Sequence, residues 1–142
     1  MGQISKALGM GSQFEWKGST YKMSPWTYRV LGEFEVYFQE QALLNTKKFR
    51  PMLTDEEYRD LVHRTKKDVD AGVYTFGGEE VGRALQSTKY LKYLAWLSLR
   101  PNHPDITLEW VEEVFGEDPE LLLGKMNEAN ADPKVKDPKT TT

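Results

Sequence analysis

The chain has 142 residues, of which 39% are hydrophobic and 12% aromatic, and its formal net charge is −3. This length and composition predict one folded domain with a real core. The absence of cysteine excludes disulfides, thiolate metal ligands and cysteine nucleophiles, and is consistent with a reducing cytosol. The negative net charge gives no overall attraction to nucleic acid.

Near the N-terminus, two short segments alternate polar with apolar residues on either side of Lys17-Gly18-Ser19. Aromatic and β-favouring residues around a Gly-containing turn are typical of a β-hairpin. One face of this hairpin is expected to carry Phe14, Trp16, Tyr21 and Met23. A two-stranded sheet is marginal alone, so we expect it to pack on helices or to extend a neighbouring sheet.

Capping residues, prolines and glycines mark the boundaries of several predicted helices. Ser, Thr or Asp is typical of the N-cap, Pro of the first helical position, and Gly of the residue after the last turn. The residues that give these signals are Ser24, Pro25, Thr54, Glu57, Gly72, Thr107, Gly116, Asp118 and Pro119. The predicted helices span residues 24–44, 54–71, 79–86, 88–100, 107–116 and 118–129.

The helix predicted for residues 88–100, TKYLKYLAWLSLR, is the centre of the expected fold. It is apolar on almost every side, and such a helix must be covered all round. It is also too short to cross a bilayer, and Lys89 and Lys92 interrupt its apolar surface. We therefore expect a core helix and no membrane partner.

The predicted fold class is mainly α, a single domain of five or six helices with a short N-terminal β-hairpin. The domain is expected to span residues 13–130. A flexible arm is expected in residues 1–12, and a disordered tail in residues 131–142, where apolar residues are too few to build a core.

No group of residues in the sequence predicts catalysis. The two histidines, His63 and His103, lack metal-ligand spacing. Gly77-Gly78 is followed by two glutamates where a phosphate-binding loop needs free amides and a lysine. We therefore expect no enzyme, cofactor, metal site or small-molecule substrate. The basic residues at 47–50 are too few to predict a nucleic-acid partner.

The aromatic residues at helical spacing have two interpretations. They either fill the core or line a groove that holds a helix of another protein. The residues we single out as candidates for protein contact are Trp26, Phe34, Phe38, Tyr90, Tyr93, Trp96 and Trp110.

Three patterns carry a family resemblance: a strand-forming K-G-x-x-Y start, an apolar helix ending in L-R, and an h-P-x-h-T-x-x-x-V turn into an acidic helix. The matching positions are Lys17, Gly18, Tyr21, Leu99, Arg100, Pro104, Ile106, Thr107 and Val111. In this order of parts, over residues 14–44 and 89–129, the chain resembles the small tail assembly chaperones of long-tailed bacteriophages. Those proteins are encoded next to the tape-measure protein. The middle segment, residues 54–86, is longer than in that family.

The resemblance implies a non-enzymatic, self-associating protein of the host cell cytoplasm. Such chaperones coat the apolar helices of the tape-measure protein before the tail tube polymerises, and in some families a frameshifted longer form recruits tail-tube protein. The alternative is a structural virion component, a minor tail or connector subunit, that docks through its N-terminal arm and hairpin. A chaperone leaves the particle, whereas a subunit stays in it.

Overall fold

The structure is a computed structural model that describes residues 11–131. Over this range the fold is mainly helical with an N-terminal antiparallel hairpin, which confirms the predicted fold class. The strands are β1 (Ser12–Trp16) and β2 (Ser19–Met23), and the helices are α1 (Tyr28–Lys48), α2 (Asp55–Asp70), α3 (Glu79–Ala84), α4 (Thr88–Leu99), α5 (Leu108–Glu117) and α6 (Pro119–Ala129). A 3₁₀ turn, Arg50–Met52, precedes α2. Residues 1–10 of the expected arm and residues 132–142 of the expected tail lie outside the described residues.

The described elements form two compact units. Unit 1 contains residues 11–30 and 91–131, and unit 2 contains residues 31–90. The divisions fall within α1 and α4, so each of these helices contributes residues to both units.

The hairpin of unit 1 turns through only two residues. Lys17 and Gly18 have φ angles of 47° and 84°, the positive values that a type I′ hairpin turn requires. Ser19, which the sequence placed in the turn, pairs with Trp16 instead. The register puts Phe14 opposite Tyr21, as expected for one apolar face.

The core of unit 1 forms where α4, α5, α6 and the hairpin bury their apolar side chains. Its buried members include Phe14, Met23, Leu94, Leu97, Leu99, Val111, Val114, Phe115, Leu122 and Met126. Two hydrogen bonds to backbone carbonyls hold the hairpin and the residue after it on this core. The Ser12 hydroxyl donates to the Lys125 carbonyl, and the Ser24 N–H donates to the Ser98 carbonyl, both at 2.8 Å. The second half of α4 is therefore a core helix, as its composition predicted.

In unit 2, the aromatic residues of α1 meet the segment between α2 and α3. The ring of Phe34 lies 5.5 Å from that of Phe76, and the ring of Phe38 lies 5.3 Å from that of Tyr74. The Phe76 N–H also donates to the Glu35 carboxylate at 2.8 Å. Tyr74 and Phe76 thus both face α1.

The start of α1 differs from the prediction. Ser24 and Pro25 do not begin the helix: the Ser24 hydroxyl donates to the Pro25 carbonyl instead of accepting from a helical N–H, and the Ser24 N–H donates to the Ser98 carbonyl. The helix begins at Tyr28, after Thr27, whose hydroxyl accepts from the Val30 N–H at 3.2 Å. Thr27 has the type and spacing of an N-cap residue.

Two predicted helix ends are wrong. Helix α1 continues to Lys48, beyond residue 44, and α5 includes Gly116, which lacks the positive φ angle of a glycine that follows a helix.

Several other boundaries match their sequence signals. Thr54 and Glu57 form the expected capping box, and Gly72 follows the end of α2 with a φ angle of 81°. The Thr107 hydroxyl accepts from the Trp110 N–H at 3.1 Å and caps α5. Asp118 holds the cap position of α6, but its carboxylate makes no capping hydrogen bond.

Candidate functional site: an aromatic cleft

The seven aromatic residues proposed for protein contact differ in exposure. Phe34 and Phe38 are only 0% and 6% exposed, so both fill the core of unit 2. The other five are half-buried and keep some solvent-facing surface: Trp26, Tyr90, Tyr93, Trp96 and Trp110. Phe34, Phe38 and Tyr90 belong to unit 2, and the remaining four belong to unit 1.

Within unit 1, Trp96 is largely engaged by its own surroundings. Its indole N–H donates to the Ile106 carbonyl at 2.9 Å. The Arg100 guanidinium lies 4.7 Å from the centre of its ring, and the Tyr93 ring lies 5.3 Å away. These contacts hold the turn after α4 against the helix, so Trp96 has a structural role.

Trp110 belongs to a second aromatic group of unit 1, at the edge of β2. Its ring lies 4.8 Å from Tyr21, which in turn lies 5.2 Å from the His103 imidazole. A shallow depression of about 420 Å³ runs beside these rings and the loop after α4. His103 is bonded through Nε2 to the Lys22 N–H, so the depression is a junction between loop and hairpin.

Unit 2 contains a concavity with an apolar floor and a polar rim. This aromatic cleft is lined by Phe38, Ala42, Asn45, Tyr74, Glu80, Arg83, Ala84 and Tyr90, and its volume is about 330 Å³. Helix α1 supplies three of these residues at i, i+4 and i+7 spacing, which places them on one helix face. The loop before α3, α3 itself and the first turn of α4 supply the rest.

Three rings form the floor of the cleft. The Phe38 ring meets Tyr74 and Tyr90 edge-on, with centroid distances of 5.3 Å and 5.0 Å. Edge-to-face contacts of this kind stabilise a fixed arrangement of rings. Ala42 and Ala84 are small, so the space beside the rings stays open.

The pKa values of both phenols of the cleft are raised above that of an ordinary tyrosine. Burial raises the pKa of Tyr74, and the carboxylates of Asp68 and Glu80 raise it further. Burial also raises the pKa of Tyr90, against the opposing effect of a hydrogen bond with Asn45. Neutral phenols present an apolar ring and a hydrogen-bonding hydroxyl, a combination common at protein interfaces.

The rim adds charge to one side of the cleft. Arg83 and Glu80 form an exposed ion pair at 3.2 Å, one turn apart on α3. The cleft can therefore hold an apolar side chain on its rings while the rim contacts polar groups beside it.

Within residues 11–131, no cluster of three or more His, Asp or Glu residues has the geometry to hold a metal ion. His63 is exposed on α2. None of the helices in this range is both long enough and apolar enough to cross a membrane.

No protein-family model, curated protein or solved structure matches the chain. The candidate site therefore stands on its own geometry.

Sequence reasoning found only part of the cleft. It singled out Phe38 and Tyr90, but not Tyr74, Asn45 or Ala42. The signal for Ala42 was available, because the aromatic stripe of α1 changes from a large residue at Phe38 to a small one a turn later. A stripe that loses volume along a helix leaves a gap beside its last ring.

Proposed function

We propose that this chain is a non-enzymatic assembly chaperone whose aromatic cleft holds apolar side chains of a helical segment in another protein. The observation that carries the proposal is the ring floor of Phe38, Tyr74 and Tyr90 under a polar rim. At about 330 Å³ the cleft lies at the lower end of the volumes of binding clefts, roughly 300–1,000 Å³. That size suits one or two side chains presented by a helix rather than a large cofactor.

Further apolar surface on α1 supports this role. Val36 is 56% exposed and Leu44 is 48% exposed, although both lie on a helix that also contributes to the core. A protein that covers the apolar helices of a partner needs such surface, and exposed apolar side chains are typical of interaction sites. The chain would release this surface once its partner is assembled.

The resemblance to tail assembly chaperones supplies the proposed partner, the tape-measure protein of a long-tailed bacteriophage. A tape-measure protein has long apolar helices that need cover before the tail tube forms. The proposed place of action is the host cell cytoplasm, and the tail-tube protein is a further proposed partner. Co-expression with the tape-measure protein tests this, because the long protein should stay soluble and co-purify with this chain.

A structural role in the virion remains the second proposal, and one feature of the hairpin favours it. The register turns the backbone N–H and C=O groups of Gln13 and Glu15 away from β2. Outward groups of this kind are what a neighbouring strand uses to extend a sheet. Mass spectrometry of finished particles separates the two roles: a structural subunit is present in them, and a chaperone is absent.

A further inference from the structure

A second groove of unit 2 lies along α2 and the turn before it. This α2 groove has a volume of about 390 Å³ and is lined by Phe49, Leu53, Glu57, Asp60, Leu61 and Arg64. The four lining residues on α2 are spaced i, i+3, i+4 and i+7, so they form one stripe along the helix. Phe49 is 49% exposed, and nearby Met52 is 72% exposed. An apolar strip therefore faces solvent beside a charged stripe.

The charges of α2 change sign along the helix. Residues 55–60 contain four acids and one arginine, residues 61–67 contain three Lys or Arg side chains and no acid, and Asp68 and Asp70 lie at the end of the helix. The groove repeats this order, with Glu57 and Asp60 toward one end and Arg64 toward the other. All three of these side chains belong to exposed residues.

A helix face with this order of charges is complementary to the same face of a second copy that runs in the opposite direction. In two copies of α2 related by a twofold axis between Asp60 and Leu61, Glu57 of each copy faces Arg64 of the other. Asp60 then faces Leu61 of the second copy and lies one turn from the same arginine. A parallel arrangement would bring like charges together. Twofold symmetry requires a self-complementary patch of this kind.

We propose that the α2 groove is an interface with a second copy of this chain, packed antiparallel through α2. The apolar strip of Phe49, Leu53 and Leu61 supplies the buried surface, and the charges select the antiparallel orientation. The inference is independent of the proposed function, because it uses neither the aromatic cleft nor a tape-measure partner.

Sedimentation velocity over a range of concentrations tests the interface on the full chain. The wild-type protein should show a concentration-dependent monomer–dimer equilibrium. Arg64→Glu places like charges opposite each other twice per dimer, so it should raise the dimer dissociation constant at least about tenfold. The matched control Arg59→Glu makes the same charge change on α2 outside the groove and should leave the constant near the wild-type value.

A mixing experiment separates a broken interface from a damaged fold. Glu57→Arg and Arg64→Glu should each weaken self-association, but a mixture of the two variants should form a heterodimer. In that heterodimer residue 57 of each copy faces a residue 64 of opposite charge. A wild-type protein that stays monomeric would overturn the proposal. So would equal effects of Arg64→Glu and Arg59→Glu, or variants that fail to associate on mixing.

Discussion

The Nε2 atom of His103 accepts a hydrogen bond from the backbone N–H of Lys22 at 2.8 Å. The side-chain amide of Asn102 also donates to the Lys22 carbonyl, at 3.4 Å. The N–H and C=O groups of Lys22 in β2 are thus both hydrogen-bonded to the loop after α4. A third strand next to β2 would form hydrogen bonds with the same groups. His103 can accept at Nε2 only as a neutral ring with its proton on Nδ1.

Replacing His103 tests this edge contact. His103→Ala should lower the free energy of unfolding by about 1–2 kcal/mol, because the Lys22 N–H loses its partner. His103→Gln keeps an acceptor and should lose less. Urea denaturation measures both. His63→Ala, at an exposed position of α2, is the control and should change stability by less than about 0.5 kcal/mol. Equal losses in both His103 variants would contradict the role of Nε2.

Two tryptophans of unit 1 differ in whether their indole N–H is bonded. The N–H of Trp26 is buried and has no hydrogen-bond partner among the described residues, whereas that of Trp96 donates to Ile106. Phe substitution removes the same group at both sites. Trp96→Phe should therefore cost about 1 kcal/mol more than Trp26→Phe, since an unpaired buried N–H is itself unfavourable. Thermal and urea denaturation of the two variants measure the difference, and an equal or reversed order would refute it.

Helix caps give a second matched comparison. Thr107→Ala removes the hydroxyl that accepts from Trp110 and should cost about 1 kcal/mol of unfolding free energy. Asp118→Ala changes a cap position whose carboxylate makes no capping bond, so its cost should be smaller. Urea denaturation of the two variants checks the order. A larger loss for Asp118→Ala would show that the cap geometry of α6 differs from that seen in the structure.

Alkaline pH should weaken the fold. Hydrogen bonds to Glu113 and Glu117 raise the pKa of Lys17 above its ordinary 10.5, and burial raises the pKa values of Tyr74 and Tyr90 above 10.0. A raised pKa means that the folded state binds the proton more tightly than the unfolded state. The associated stability is complete below the ordinary pKa and is lost as pH rises through the folded value.

Urea denaturation at a series of pH values, compared between wild type, Tyr74→Phe and Tyr90→Phe, measures this alkaline loss. Each variant removes one titrating phenol, so its free energy of unfolding should fall less steeply above about pH 10. Measurement of each variant at neutral pH gives the reference for its packing loss. Identical slopes in all three proteins would contradict the raised pKa values of the phenols.

Local signals were sufficient to predict most of the fold. Thr54, Glu57 and Thr107 define helix starts through bonds to residues three positions away, so their roles are visible in the sequence. The hairpin turn and the buried centre of α4 follow from patterns of similar range. Ser24 shows where such reasoning fails. Its N–H is bonded to the carbonyl of Ser98, 74 positions away in the chain, and this tertiary contact has no local signal in the sequence.

The candidate site was harder to predict because its parts are distant in sequence. Aromatic spacing on α1 identified Phe34 and Phe38, but it did not distinguish a core ring from the floor of a cleft. That distinction depends on Tyr74 and Ala84, which come from the middle segment, residues 54–86. The order of charges along α2, in contrast, can be read from the sequence, whereas the groove beside this helix cannot.

Filling the aromatic cleft is the most direct test of whether a partner's side chains occupy it. Ala42→Phe adds a ring inside the cleft, and Ala131→Phe makes the same change at an exposed residue after α6, outside the cleft. Isothermal titration with a soluble helical fragment of the tape-measure protein should show at least about tenfold weaker binding for Ala42→Phe. Ala131→Phe should bind nearly as wild type does, with circular dichroism showing that both variants are folded. Wild-type affinity in a folded Ala42→Phe variant would contradict occupancy of the cleft.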